Sequence, residues 1–184
     1  MRASARGVAV AGLALLAGCG LAVAARRARL EPLLVQGDSM RPALPPGQRI
    51  AVGPVRGTLR RGEVVLLRRA GREMVKRVVG LPGEHVLLAG GRLEVDGRHV
   101  AEPWTDGQAP ALPAAVELDV HLEDDEVVVL GDSRRQSTDS RSFGPVRLDD
   151  VIGVVRFAYW PPRRITGTGR AHGGSGYRVR MRKS

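Results

Sequence analysis

Cysteine and aromatic residues are nearly missing from this sequence: Cys19 is the one cysteine among 184 residues, and Phe, Tyr and Trp together make up 3%. A disulfide-stapled module or a cysteine-ligated zinc site needs several cysteines at bridge or ligand spacing, so the chain resembles neither. There is no H-E-x-x-H, no Walker loop, and none of His85, His99, His121 or His172 stands in a G-x-S-x-G nucleophile elbow. Metal, nucleotide and Ser-His-Asp chemistry thus have no visible support, and no cofactor is expected.

Acid is missing from both ends. Residues 1–30 carry five arginines and no carboxylate, and residues 163–184 carry six arginines plus Lys183 and again none. The formal net charge of +10 therefore sits on the ends, and the body between them is close to neutral. No basic stripe interleaved with aromatics runs through that body, so nucleic acid is not an expected partner. Lysine is scarce too: of 29 basic residues, Lys76 and Lys183 are the two that are not arginine. Arginine cannot lose its proton at accessible pH, whereas a desolvated lysine can and then serves as a base. Lys183 in a basic tail reads as a solvated charge. Lys76 in an apolar strand pattern does not.

Val8 to Ala25 is an uncharged run of apolar and small residues between Arg2 and Arg6 on one side and Arg26, Arg27 and Arg29 on the other. As a helix it would be roughly 27 Å long, near the thickness of a bilayer core, so residues 1–30 are expected to form a single transmembrane anchor. A second reading takes Leu16-Ala17-Gly18-Cys19 as a lipobox with Cys19 lipidated. The apolar run continues past Cys19, which favours the retained span.

From residue 31 the chain is written in strands and turns. Valine- and leucine-rich segments at Arg49–Gly53, Glu63–Arg69, Glu73–Val79, Glu84–Leu88, Arg92–Val100, Glu126–Leu130 and Val151–Tyr159 are separated by Gly and Pro signals. Asp96-Gly97 between two short apolar runs predicts a two-residue hairpin turn. Residues 101–118 read as a loop or small excursion. The expected architecture is a mainly β, antiparallel domain over 31–165, followed by a basic tail over 166–184.

Three segments carry chemistry. In Gly37-Asp38-Ser39-Met40-Arg41-Pro42 a glycine and a proline bracket a serine on a forced bend, where a hydroxyl can be presented and its own N–H left for an oxyanion. In Met74 to Glu84, strand alternation puts Lys76 and Val78 on one face and Arg77 and Val79 on the other, which desolvates the lysine. The third is the polar loop Gly131 to Gly144, directly after the strand at Val127 to Leu130.

Together these segments resemble the type I signal peptidases, membrane-bound endopeptidases that use a Ser/Lys dyad. Gly37 to Pro42 is similar to the family's G-x-S-M-x-P, Lys76 to Glu84 to its lysine segment, and Gly131 to Gly144 to its G-D-N-R-x-x-S-x-D-S-R-x-x-G. Arg61-Gly62-Glu63-Val64-Val65 and Tyr159 to Ile165 resemble two further family stretches, in order. The resemblance implies Ser39 as nucleophile, Lys76 as general base and Ser137 as the residue that hydrogen-bonds and orients the Lys76 amine. It further implies Asp139 and Arg141 as supporting residues and Met40 as a lining of the substrate cleft. Asp139 and Arg141 read equally well as a surface ion pair. The implied substrates are signal peptides of exported pre-proteins, with small residues one and three positions before the cut. The implied location is the cell membrane, with the catalytic domain on the extracytoplasmic side. Gly37 has no side-chain donor, so the Ser39 N–H is the one oxyanion donor the sequence names. Two other readings stay open: a maturation peptidase dedicated to one or a few proteins, and a membrane-anchored β binding domain without activity.

Overall fold

The computed structural model describes residues 30–105 and 116–165. The apolar run, Cys19 and the basic tail therefore lie outside the described residues. Among the described residues, no helix is long and apolar enough to cross a membrane.

The described chain forms two antiparallel sheets. In the larger, the strand order is β1 (Glu31–Leu34), β2 (Arg49–Gly53), β11 (Val151–Trp160), β3 (Val64–Arg69), β4 (Arg72–Gly80), β9 (Glu126–Leu130) and β10 (Val146–Arg147), with β12 (Pro162–Arg163) paired to β11. The smaller sheet runs β7 (Arg98–His99), β6 (Arg92–Val95), β5 (His85–Ala89) and β8 (Val116–His121). Among the described residues, helical structure is confined to α1 (Ser140–Phe143) and two single 3-10 turns. The mainly β, antiparallel expectation agrees with this architecture.

Local chemistry explains several joints. Asp96 and Gly97 both have positive φ, 51° and 71°, as a two-residue turn of the type that matches strand twist requires. They break the expected Arg92–Val100 run into β6 and β7. The expected excursion over 101–118 is shortened from its far end, because β8 begins at Val116 and pairs with β5 through Leu88↔Leu118 and Val86↔Val120. Its alternation of apolar residues with Glu117 and Asp119 marks one face of a half-exposed strand. β1 had no sequence signal, since Pro32 interrupts it. It is tolerated because β1 is a short strand hydrogen-bonded on one side, to β2.

Three apolar clusters hold the sheets. One joins Val65, Val78, Val129 and Val154. A second joins Met40, Leu44, Ile50 and Val155 beneath β1, and a third joins Val79, Val86, Leu93, Trp104 and Val128 between the sheets. β4 is the shared wall: Val78 belongs to the first cluster and Val79 to the third. Lys76 pairs with Val65 of β3 and so sits in the middle of the larger sheet.

Candidate active site

The turn after β1 presents Ser39. Arg41 N–H donates to the Asp38 carbonyl at 3.0 Å, closing a tight turn with Ser39 as its second residue. Met40 points inward, 1% exposed, and anchors the turn in the cluster beneath β1 while also lining the groove beside Ser39. The Ser39 carbonyl accepts the Ser133 N–H at 3.0 Å, which ties the turn to the loop after β9. That tie is possible because residue 131 is glycine: a Cβ there would lie 2.7 Å from the Ser39 carbonyl oxygen and 2.2 Å from Ser137 Oγ.

Lys76 reaches this turn from β4. Its Nζ donates to Ser39 Oγ at 2.8 Å, and the side chain is buried, at 4% exposure. Burial lowers the Lys76 pKa from its ordinary 10.5; the carboxylates of Asp139 and Asp132 oppose the shift, and the Arg141 guanidinium assists it. The structure thus brings together the two residues the sequence singles out and desolvates the amine.

The other expected residues stand around this pair in different ways. Asp139 caps α1, and its carboxylate accepts from Gly131 N–H at 2.9 Å and from Arg141 Nε at 2.8 Å and Nη2 at 3.0 Å. Burial pushes its pKa up, but these hydrogen bonds outweigh burial and leave the carboxyl below its ordinary value. Arg141 also donates to the Arg134 carbonyl at 2.6 Å and the Glu117 carboxylate at 3.4 Å. With Asp139 at 0% and Arg141 at 15% side-chain exposure, this is a buried network and not a surface ion pair. Ser137 is placed against Gly131, but the expected bond to Lys76 is not formed: Ser137 Oγ is buried without a hydrogen bond of ordinary geometry, near enough to Asp139 to favour its ionised form.

Sequence reasoning missed a second buried group one residue from Lys76. Arg77 is fully buried and chelates Asp132 through Nε at 2.7 Å and Nη2 at 2.6 Å. Trp104 packs on its guanidinium, 4.9 Å from ring centroid to Cζ. Arg134 pairs with Glu102 beside them. A signal was available: an arginine between Lys76 and Val78, in a strand apolar on both faces, requires a buried partner, and Asp132 is an acid in a turn beside an apolar strand.

An open groove of about 870 Å³ runs past the pair, lined on one side by β1 and the residues after it and on the other by the Arg72–Lys76 half of β4. Ser39 and Lys76 are both part of its lining. No cluster of metal-ligating side chains occurs among the described residues.

A family model described as signal peptidase, peptidase S26, matches residues 8–160. The chain is 34% identical over 150 residues to signal peptidase IB of Staphylococcus aureus, covering 72% of this chain and 78% of that one. It is 33% identical over 162 residues to signal peptidase I T of Bacillus subtilis, covering 82% and 84%. A crystal structure of a signal peptidase I from Enterococcus faecalis matches with a TM-score of 0.46 and 26% identity, over 55% of this chain and 98% of that one. The chain therefore belongs to the signal peptidase family, peptidase S26, and is a peptidase that cleaves signal peptides from exported proteins.

Proposed function

We propose that cleavage proceeds through a Ser39–Lys76 dyad, and the observation that carries this reading is the 2.8 Å contact between Ser39 Oγ and a desolvated Lys76 Nζ. With the amine neutral, the contact runs the other way: Oγ–H donates to Nζ. Lys76 takes that proton as Oγ attacks the scissile carbonyl carbon, and the negative charge that develops on the carbonyl oxygen meets the Ser39 N–H. The Lys76 ammonium then gives its proton to the leaving amine, the C–N bond breaks, and an acyl ester on Ser39 remains. Lys76, neutral again, draws a proton from a water whose oxygen attacks the ester carbon, then returns that proton to Ser39 Oγ as the acyl C–O bond breaks, which frees Ser39 and restores the neutral amine. Asp139 and Arg141 support the base by holding the loop that carries Asp132 and Ser133, and Ser137 fills the space behind it.

The substrate in this reading is an extended segment of an exported pre-protein with small residues at −1 and −3. β1 is hydrogen-bonded to β2 on one side, and its other edge faces the groove, which suits the addition of a strand. Residues 1–30 form a single-pass anchor, 31–165 the peptidase domain on the extracytoplasmic side, and 166–184 a basic tail. Exposed Phe157, Tyr159 and Trp160 on β11, with Leu34 on β1, suit a domain lying against a lipid surface.

The test is to incubate the detergent-solubilised full chain with a pre-protein carrying Ala-X-Ala before the cut, alongside Ser39→Ala and Lys76→Arg. Cleavage after the second alanine by the wild type alone is expected. Processing that survives Lys76→Arg would overturn Lys76 as base.

A further inference from the structure

The Lys76 amine is surrounded by fixed charge. The carboxyl groups of Asp132 and Asp139 face it, with Arg141 as a cation; burial pushes the Asp132 carboxyl above its ordinary value, against the pull of Arg77 and Arg134, which favour its ionised form. Asp139 is matched by Arg141 on its own loop. Asp132 is matched from the neighbouring position on β4, by the two-pronged bond from Arg77, with both side chains at 0% exposure.

What holds Arg77 in the plane that chelates Asp132 comes from outside the catalytic loop. One Arg77 nitrogen donates to the Gly62 carbonyl at 2.7 Å. The broad face of the guanidinium is covered by Trp104, which is 6% exposed. Trp104 is itself fixed by the short strap it belongs to. Thr105 folds back on the Glu102 carbonyl through both its N–H, at 3.1 Å, and its hydroxyl, at 2.9 Å, and Glu102 pairs with Arg134 of the catalytic loop. The indole thus sits where it excludes water from a charge pair one residue away from the base.

We propose that Trp104 is a positioning residue for Lys76: its ring keeps the Arg77 guanidinium locked on Asp132 and dry, and so limits how much of the Asp132 negative charge reaches the Lys76 amine. This rests on Lys76 as the general base. Removing the ring face hydrates and loosens the Arg77–Asp132 pair. A less neutralised Asp132 favours the protonated lysine.

The readout is the pH dependence of kcat/KM for pre-protein cleavage by the full chain, in wild type, Trp104→Leu, Trp104→Phe and Arg77→Lys. Trp104→Leu is expected to move the acid limb to higher pH, seen as a roughly three- to tenfold loss on the acid side with the high-pH plateau kept. Trp104→Phe, which restores a ring face, should return most of it. Arg77→Lys keeps the cation but not the flat fork, and should move the limb the same way as Trp104→Leu. It decides the matter if Trp104→Leu does not fold. A uniform loss at every pH, or no change in either variant, would overturn the proposal while leaving the dyad standing. A wild-type rate independent of pH would instead overturn the dyad itself.

Discussion

Gly131→Ala probes the part of the site that depends most on close approach. The backbone of Gly131 is not in the left-handed region, so alanine brings no φ penalty and the effect is steric. The new Cβ would stand 2.7 Å from the Ser39 carbonyl oxygen, 2.4 Å from Ser137 Cβ and 2.2 Å from Ser137 Oγ. The Ser137 hydroxyl can rotate away; its Cβ and the Ser39 carbonyl are fixed by backbone. An ordinary C···O contact is about 3.3 Å, so Ser39 must retreat by roughly 0.6 Å. The Ser133 N–H to Ser39 carbonyl bond, 3.0 Å long, is then stretched past useful range, and the 2.8 Å dyad contact opens with it. A misplacement of this order costs about 10- to 100-fold in kcat. Overpacking adds about 1–3 kcal/mol of instability, or roughly 3–10 °C in Tm. The assay is steady-state cleavage of an Ala-X-Ala pre-protein with a parallel thermal melt. Adding Ser137→Gly to Gly131→Ala relieves the clashes with Ser137 but not the one with Ser39, so rescue should be partial in Tm and small in kcat. Wild-type kcat at wild-type Tm in Gly131→Ala alone would refute the claim that residue 131 sets the position of the nucleophile.

Further outcomes follow from the buried charges. Lys76→Met should abolish cleavage yet raise Tm at neutral pH, because folding strips the buried amine of a proton that the unfolded chain keeps, and methionine removes that cost. The same linkage predicts that wild-type stability rises with pH between the lowered folded pKa and 10.5, where the unfolded chain binds more protons; a Lys76→Met protein that melts lower at neutral pH contradicts both statements. Asp139→Asn should cost about 3–5 kcal/mol at neutral pH by leaving Arg141 half-paired in the interior. Since the folded Asp139 pKa lies below its ordinary 3.8, its contribution is present above that value and lost as pH falls, so the wild-type and Asp139→Asn melting curves should converge in acid.

What the sequence disclosed and what it hid divide along a physical line. Arg49–Gly53 and Glu126–Leu130 match their expected bounds because their signals are local: short apolar runs with turn residues on either side. Asp96-Gly97 was legible for the same reason. Lys76 stood out because arginine fills nearly every other cationic position, and Ser39 because glycine and proline bracket it. β1 was hidden by Pro32, and β8 by charged residues on its exposed face. The Arg77–Asp132–Trp104 cluster was hidden because its members lie 55 residues apart along the chain for the ion pair alone and meet through sheet pairing, which no local pattern encodes. Ser137 marks the limit of resemblance: the family motif located it beside the site, but its hydroxyl packs on Gly131 without bonding the lysine.

The neutral amine is the central claim, and the chain is well suited to reading it directly, since Lys76 and Lys183 are its two lysines. Full-length protein labelled at lysine ¹³Cε gives two signals, and Lys76→Arg assigns one of them. Titration in detergent should place the Lys76 signal below the ordinary 10.5, rising toward it in Trp104→Leu. A Lys76 signal that titrates at 10.5 in the folded, active enzyme would contradict the account.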